Sequence, residues 1–371
     1  MLLYIHFPFC KSKCIYCNFY SVKINDELVK LYLNGLFEEI KYWKDKLPNI
    51  KFKSIYIGGG TPSILKLKYL DQIINALFKN FKFENYIEFS FEGNPDSLKD
   101  LIYLKELKSF GVNRISIGIQ SIRDSYLKFL GRTHSAKDAI FSVKLCNLAK
   151  FENINIDLIW GLPEQTVASW LHDLRQICKL DIQHISCYGL TVEQGTRLHT
   201  MVKKNIVTLP NENRLASLYI GGADFLESRG FIQYEISNFS KLGYVCMHNM
   251  GYWEQMDYLG LGPSAVSTIG NKRWENCKNI VEYSQNPCRR KEIKLNKKDQ
   301  INEFIMLSLR TTRGLNLKEY AKKTGENFWK KHHKMINLLH RNNLVKIRKG
   351  YLSLTKNGFL VSNSIIGNFF I

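Results

Sequence analysis

The chain has 371 residues and a mass of 43.3 kDa, with 53 Lys and Arg against 33 Asp and Glu, a formal net charge of +20. That length admits one large domain or a large and a small one, and 45% apolar with 13% aromatic residues excludes a disordered or fibrous chain. No apolar run approaches the ~18 residues of a membrane helix, and the opening MLLYIHFPFCKSKC lacks a basic n-region and a small-residue cleavage site, so a soluble, non-exported protein is expected.

In chain order, β-branched apolar runs predict strands at Leu2–His6, Ser54–Ile57, Tyr86–Phe91, Arg114–Ile119, Ile154–Ile159 and His184–Tyr188. Amphipathic stretches separate them. Leu28, Tyr32, Leu36, Ile40 and Trp43 stripe one helix face, and Leu65–Phe78 and Leu98–Phe110 read in the same way. Repeated strand–helix units predict a parallel sheet of the α/β class. The chemistry-bearing residues follow the strand ends: Cys10 to Cys17, Gly58-Gly59-Gly60-Thr61-Pro62, Glu92 to Pro95, Gln120, Asp157 to Pro163, and Tyr188-Gly189. Six elements converging on one rim favour a partial (βα)6 barrel of TIM-like type over a doubly wound sheet, which uses mainly its switch-point crevice.

Beyond residue 205 the pattern changes. A helix at Asn211–Ser228 precedes Cys246-Met-His248-Asn249-Met-Gly-Tyr252-Trp253 and the glycine-rich LGLGPSA. Lys272–Lys298, rich in Lys, Arg and Asn, reads as a linker. From Asn296, three helices and short strands at Leu344–Ile347 and Tyr351–Leu354 predict a mainly helical, winged-helix-like module. The expected division is a core at 1–205, an extension carrying the HNMGYW segment at 206–295, and a C-terminal domain at 296–371.

Nine cysteines are too few for a disulfide scaffold, and the odd number predicts reduced thiols in the cytoplasm. Cys10, Cys14 and Cys17 form C-x3-C-x2-C. Three thiolates could hold three irons of a cubane cluster and leave the fourth iron free of protein ligands. A zinc loop completed by His6 or a distant cysteine, or three incidental thiols, are the alternatives. The glycine run lets backbone approach a ligand but is not a phosphate loop, since no GK[ST] follows. Glu92, Gln120, Arg132 and Asp157 supply what a zwitterionic, ribose-bearing ligand requires: Arg for a carboxylate, acids for hydroxyls or an ammonium. The +20 charge suits a phosphate-rich partner or an anionic membrane, but Lys spread along the whole chain beside abundant Asn, Ile and Phe reads first as compositional drift. No basic block interleaves with aromatics, so nucleic acid is not favoured.

YIHFPFCKSKCIYC, GGGTPS, EGNP, GIQS, GRTH and DLIWGLPEQT resemble the radical S-adenosylmethionine (SAM) family. They are most similar to the branch containing oxygen-independent coproporphyrinogen III oxidase and a group of heme chaperones, and YEISNFS and HNMGYW extend the likeness over nearly the whole chain. The resemblance implies a 4Fe–4S cluster on Cys10, Cys14 and Cys17. It implies SAM on the open iron, with contacts carried onto Tyr4, Tyr16, Gly59, Gly60, Thr61, Glu92, Gln120, Arg132 and Asp157.

Three features favour the chaperone group over the oxidase. The first cysteine falls at position 10, with none of the oxidase's N-terminal extension. Phe19 stands where the oxidase pattern has a further cysteine. Cys246-x-His248-Asn249-x-x-Tyr252-Trp253 matches the HNxxYW pattern associated with heme binding. The resemblance thus implies heme at His248, Asn249, Tyr252 and Trp253, heme-requiring respiratory proteins as acceptors, and contact with an anionic membrane surface. His248 could instead be a hydrogen-bonded buried residue, and the segment a closure for the open barrel. Cys246 reads equally as a second ligand or a packed thiol. The oxidase is the alternative activity, an RNA-modifying radical-SAM enzyme a third, and the sequence leaves monomer and homodimer both open.

Overall fold

The six expected strands form the centre of a single twelve-stranded sheet in a computed structural model that describes residues 1–371. They are β1 (Leu2–Phe7), β2 (Lys51–Gly59), β3 (Lys82–Gly93), β4 (Arg114–Gln120), β5 (Asn153–Trp160) and β6 (His184–Gly189). They lie side by side in that order, each parallel to the next. Helices cross between them, at Asp26–Lys46, Leu67–Asn80, Leu101–Ser109, Ala136–Leu148 and Val167–Ile177. The Asp26–Lys46 helix begins where the Asn25 side chain accepts from the Glu27 N–H at 2.7 Å, and its acidic first turn and basic last turn complement the helix dipole. It buries Val29, Tyr32, Leu33, Leu36, Ile40 and Trp43, each contributing about 1.5–3 kcal/mol of burial energy.

Six parallel strands are not the whole of the sheet. Short strands β7 (Ile232–Gln233) and β8 (Asn238–Ser240) continue it antiparallel beyond β6. On the other side, β9 (Tyr258–Leu261) runs parallel to β1, with Leu2 opposite Tyr258, and makes a seventh parallel strand from the stretch read only as glycine-rich. Strands β10 (Val266–Ile269), β11 (Lys272–Asn276) and β12 (Arg290–Lys294) extend that edge antiparallel, and the barrel stays open.

The linker expected at Lys272–Lys298 is therefore corrected. It is β11, a short helix at Ile280–Gln285, and β12. Trp274 stacks on Trp43 with centroids 5.1 Å apart, and Tyr283 is wholly buried, so two aromatics tie this lysine-rich stretch to the main core. A 53-residue apolar cluster fills the space between sheet and helices. A second cluster, of 17 residues, gathers Tyr219 with residues from Ile301 to Phe369. Here helices Lys297–Leu309, Leu317–Thr324 and Phe328–Arg341 surround a three-stranded sheet in which Val345–Arg348 and Tyr351–Leu354 form the wing-like hairpin. The module hydrogen-bonds to the barrel edge through Ile236 N–H to Arg310 O at 2.9 Å and Thr312 N–H to Tyr234 O at 3.1 Å.

Inside the barrel the strands alternate. On β3, Phe89 and Phe91 point to the helices while Glu88, Ser90 and Glu92 alternate with them; Arg114, Ser116, Asn155, His184 and Ser186 continue this polar set on β4 to β6. The result is a polar interior with two levels, the upper at the carboxyl ends of the strands.

Candidate functional site on the barrel rim

The C-x3-C-x2-C loop leaves β1 and is held on three sides. The Thr61 N–H donates to Phe9 O at 2.8 Å and the Gly60 N–H to Phe7 O at 2.7 Å. The Ile15 N–H donates to Leu130 O at 3.2 Å, while the Leu198 N–H donates to Ile15 O at 2.9 Å. A short parallel ladder, Phe9–Cys10 with Val22–Lys23, closes the loop at its base. The glycine run thus serves chain-to-chain approach first: a Cβ on Gly60 would lie 2.4 Å from Phe9 O, and Gly59, at φ +108°, would drive one into His6.

All three thiols are free and partly exposed, and no three His, Cys, Asp or Glu side chains converge as one mononuclear ion requires. His6 is no fourth ligand: Nδ1 takes the Tyr4 hydroxyl at 2.9 Å and Nε2 the Tyr20 carbonyl at 2.9 Å, and burial lowers its pKa. This donor set fits a three-cysteine cluster better than a zinc loop. The Arg132 Nη1 lies 3.4 Å from Cys14 Sγ, and the Thr61 hydroxyl lies 3.6 Å from Cys10 Sγ, so the thiols have a cation and a donor beside them.

Above the loop opens a cavity of about 760 Å³. Cys10, Cys14, Tyr16, Cys17, Gly59, Gly60, Thr61, Glu92, Gln120, Arg132, Asp157 and Trp253 all line it, so most of the expected set shares one chamber. Arg132 is fixed by two acceptors, Asn94 Oδ1 at 2.7 Å and Gly118 O at 2.6 Å. Glu92 accepts from the Tyr56 hydroxyl at 2.7 Å and the Gly59 N–H at 3.1 Å, and burial pushes its pKa up to about 7. Asp157 accepts from Ser116 and Asn155 at 3.0 and 2.8 Å, and burial raises it as well. Gln120 has φ +67° where the β4–β5 register slips, a conformation costing about 1–3 kcal/mol that aims the strand end at the cavity. Burial also raises the Tyr16 phenol. The volume and a lining that includes the Arg132 guanidinium, the Glu92 and Asp157 carboxylates and amide groups suit SAM.

Tyr4, His248, Asn249 and Tyr252 do not face this chamber. They line a lower cavity of about 280 Å³ nearer the amino ends of the strands. His248 is 2% exposed, with Nδ1 on Ser54 Oγ at 2.8 Å and Nε2 on the Tyr252 hydroxyl at 3.0 Å. Burial, then Arg114, lowers its pKa to about 3. Neither nitrogen is presented to a ligand, and the space falls below the ~300 Å³ at which small-molecule sites begin. Glu88 seats this helix, Met247–Trp253, by accepting from the Met247 and His248 N–H groups at 2.8 and 3.0 Å and from the Cys246 thiol at 3.3 Å.

Several residues of the site escape a reading of motifs. Asn94, which orients Arg132, stands inside EGNP and could have been found. Tyr56 and Ser116 follow from strand alternation. Phe359, Leu360 and Asn363, which wall the chamber from the C-terminal module, carry no local signal.

Comparison with known proteins agrees with this geometry. A family model described as the radical SAM superfamily matches residues 4–177, and one described as the HemN C-terminal domain matches residues 295–361. The Heme chaperone HemW of Lactococcus lactis is 32% identical over 371 residues, covering 99% of this chain and 97% of that one. The Heme chaperone HemW of Bacillus subtilis is 35% identical over 374 residues, covering 99% and 98%. Coproporphyrinogen III oxidase (HemN) from Escherichia coli shares the fold, with a TM-score of 0.83 at 23% identity over 99% of this chain and 89% of that one. A three-cysteine loop on a barrel rim, joined to full-length likeness of this order, means that this chain belongs to the HemW family of the radical SAM superfamily.

Proposed function

We propose that the chain is a cytoplasmic heme chaperone: it holds a 4Fe–4S cluster and SAM on its barrel rim, binds heme, and passes it to heme-requiring respiratory proteins. The observation that carries this reading is the 32% and 35% identity to two HemW chaperones across nearly the whole chain. Nine unpaired cysteines, three of them fully buried, suit a reducing compartment. No helix is long and apolar enough to cross a membrane.

In this reading Cys10, Cys14 and Cys17 hold three irons. Arg132 takes the SAM carboxylate, Glu92 and Asp157 accept from its hydroxyls or ammonium, and Gln120 and Tyr16 line its path. A cluster and SAM so bound supply one-electron reductive chemistry. The chain's own contribution is to hold Arg132 beside Cys14 and to keep the adenosyl moiety in a chamber roofed by Phe359 and Leu360.

Membrane contact is part of the proposal. Lys330, Lys331, Lys334, Lys346, Arg348 and Lys349 are exposed on the helix and hairpin of the C-terminal module, among exposed Trp329, Leu338 and Ile347. Each cation near an anionic surface adds about 1 kcal/mol.

The test is anaerobic reconstitution with iron and sulfide, then hemin in one tube and coproporphyrinogen, SAM and dithionite in another. The chaperone reading expects a stoichiometric Soret band and no decarboxylated porphyrin. Turnover to protoporphyrinogen without stable heme binding would make the chain an oxidase.

A further inference from the structure

The three-cysteine loop meets solvent as well as the rim chamber. Cys10, Cys14 and Cys17 are each partly exposed, and Lys11, Ser12, Lys13, Asn18 and Phe19 beside them are exposed. Phe19 is 62% exposed, a large apolar ring held in water next to the thiols. One such ring means little by itself. Its surroundings give it meaning.

The charge around the loop is of one sign. Three segments hold the loop in place: Val22–Lys23 pairs with Phe9–Cys10, Leu130 accepts from the Ile15 N–H, and Leu198 donates to the Ile15 carbonyl. Together with the loop they carry five exposed cations, Lys11, Lys13, Lys23, Lys128 and Arg197. Residues 11–23, 128–133 and 196–198 contain no Asp or Glu. Asp96 reaches the loop from the end of β3, but its side chain is 15% exposed and already pairs with Lys11 at 3.0 Å. The other four cations form no ion pair. Over the whole chain 33 acidic residues accompany 53 basic ones, so even spreading would leave acids among these cations. Their absence is local, and compositional drift does not account for it.

A one-signed rim around an exposed aromatic suits brief docking of a protein of opposite charge. Such encounters bury less than about 1,200 Å² and gain their speed from electrostatic steering. The chemistry proposed for the loop says what the partner carries. One-electron reductive chemistry consumes electrons, and the loop that lines the SAM chamber is also the part of it that reaches the outside.

We propose that this face docks an acidic one-electron carrier protein, with Lys13, Lys128 and Arg197 meeting its carboxylates and Phe19 packed at the edge of its redox group. The carrier is oxidised by one electron and the cluster on Cys10, Cys14 and Cys17 is reduced by one; no bond or proton is exchanged. The inference rests on the cluster-and-SAM reading and adds a partner to it. It uses none of the cations assigned to membrane contact, which belong to the C-terminal module.

The probe is an acidic FMN flavoprotein of flavodoxin type. It is titrated into the full-length chain before and after reconstitution, at about 20 and about 300 mM salt. Flavin fluorescence follows binding, and stopped-flow oxidation of the flavin hydroquinone follows electron transfer. The wild type is expected to bind in both states, more weakly at the higher salt, and to oxidise the hydroquinone only once reconstituted. Lys13→Glu with Lys128→Glu is expected to weaken binding and slow transfer roughly 10-fold or more, and Phe19→Ser about 3-fold. Iron content, SAM affinity and melting temperature should stay at wild-type values in these variants. Lys346→Glu with Lys349→Glu makes the same change of net charge on the C-terminal module and is expected to leave binding and transfer within about 2-fold. Equal losses in the two double variants overturn the inference. So does a wild type that does not bind the flavoprotein, or that binds it without oxidising it once reconstituted. In each case the cluster-and-SAM reading survives if iron and SAM are still bound, whereas a chain that holds neither overturns that reading and this inference together.

Discussion

Glu92 is the residue whose protonation most directly governs the rim. Its carboxyl sits near pKa 7 because burial outweighs the donors Tyr56 and Gly59, with Asp157 adding repulsion and Arg114 opposing it. Only the carboxylate accepts two ribose hydroxyls, so SAM affinity is expected to rise as pH passes through about 7 and to flatten in Glu92→Gln. Calorimetry on reconstituted protein checks this. For stability the sign is opposite: a folded pKa above the ordinary 4.5 makes the contribution of Glu92 complete at low pH and lost as pH rises through about 7. Glu39 and Glu235, also near 7 through burial, act in the same direction, while the buried His248, held near 3, acts in the opposite one up to about pH 6.5, so the sign is read from a variant: as pH rises through about 7, ligand-free Glu92→Gln is expected to lose less melting temperature than the wild type. Equal losses in the two chains would contradict this assignment. The acids, Arg132 and the three cysteines were legible because each follows a strand in the sequence. The partners that tune them were not: Tyr56 reaches Glu92 from 36 positions away and Asn94 reaches Arg132 from 38.

At the scale of elements, two substitutions separate approach from anchoring. Gly60→Ala would place a Cβ 2.4 Å from Phe9 O, and the only relief is to move the strand that ends at Cys10. Iron bound after reconstitution is expected to fall well below that of the wild type while secondary structure by circular dichroism is kept. Unchanged iron content would show that the loop tolerates the shift. His248→Ala removes the partner of both Ser54 and Tyr252 in a buried setting, at a cost of about 1–3 kcal/mol for each group left unpaired. Denaturant melts should show that loss even without heme, which a residue serving only as a heme ligand would not produce. The six parallel strands were legible to within a few residues, because β-branched runs buried on both faces have few other readings. β9 was not, since LGLG has too little side chain to declare a strand and gains its place only by pairing with β1. The hairpin of β11 and β12 was hidden by its lysines, which face solvent while only Trp274 and Asn276 are buried.

For the whole molecule, the open barrel explains how one fold keeps two chambers. The parallel strands present the three-cysteine loop and the residues proposed to hold SAM at their carboxyl ends, and the HNMGYW helix is seated below them on Ser54 and Glu88. The C-terminal module then walls the rim chamber through Phe359 and Leu360. This arrangement was beyond motif reading, because residues some 240 positions from Gln120 complete its chamber only after two domains dock. The net charge of +20 acts at this scale too. Protein bound to anionic vesicles is expected to be released by 1 M salt, at which screening falls to about 3 Å; retention would rule out an electrostatic attachment.

Heme transfer tests the account most directly. The hemin-loaded, reconstituted chain is mixed with a heme-free b-type respiratory cytochrome, and the acceptor's spectrum is followed against an equal concentration of free hemin. The account predicts faster and more complete filling of the cytochrome from the loaded chain, with matching loss of its own Soret band. Filling no faster than from free hemin, or heme that never leaves the chain, would contradict it.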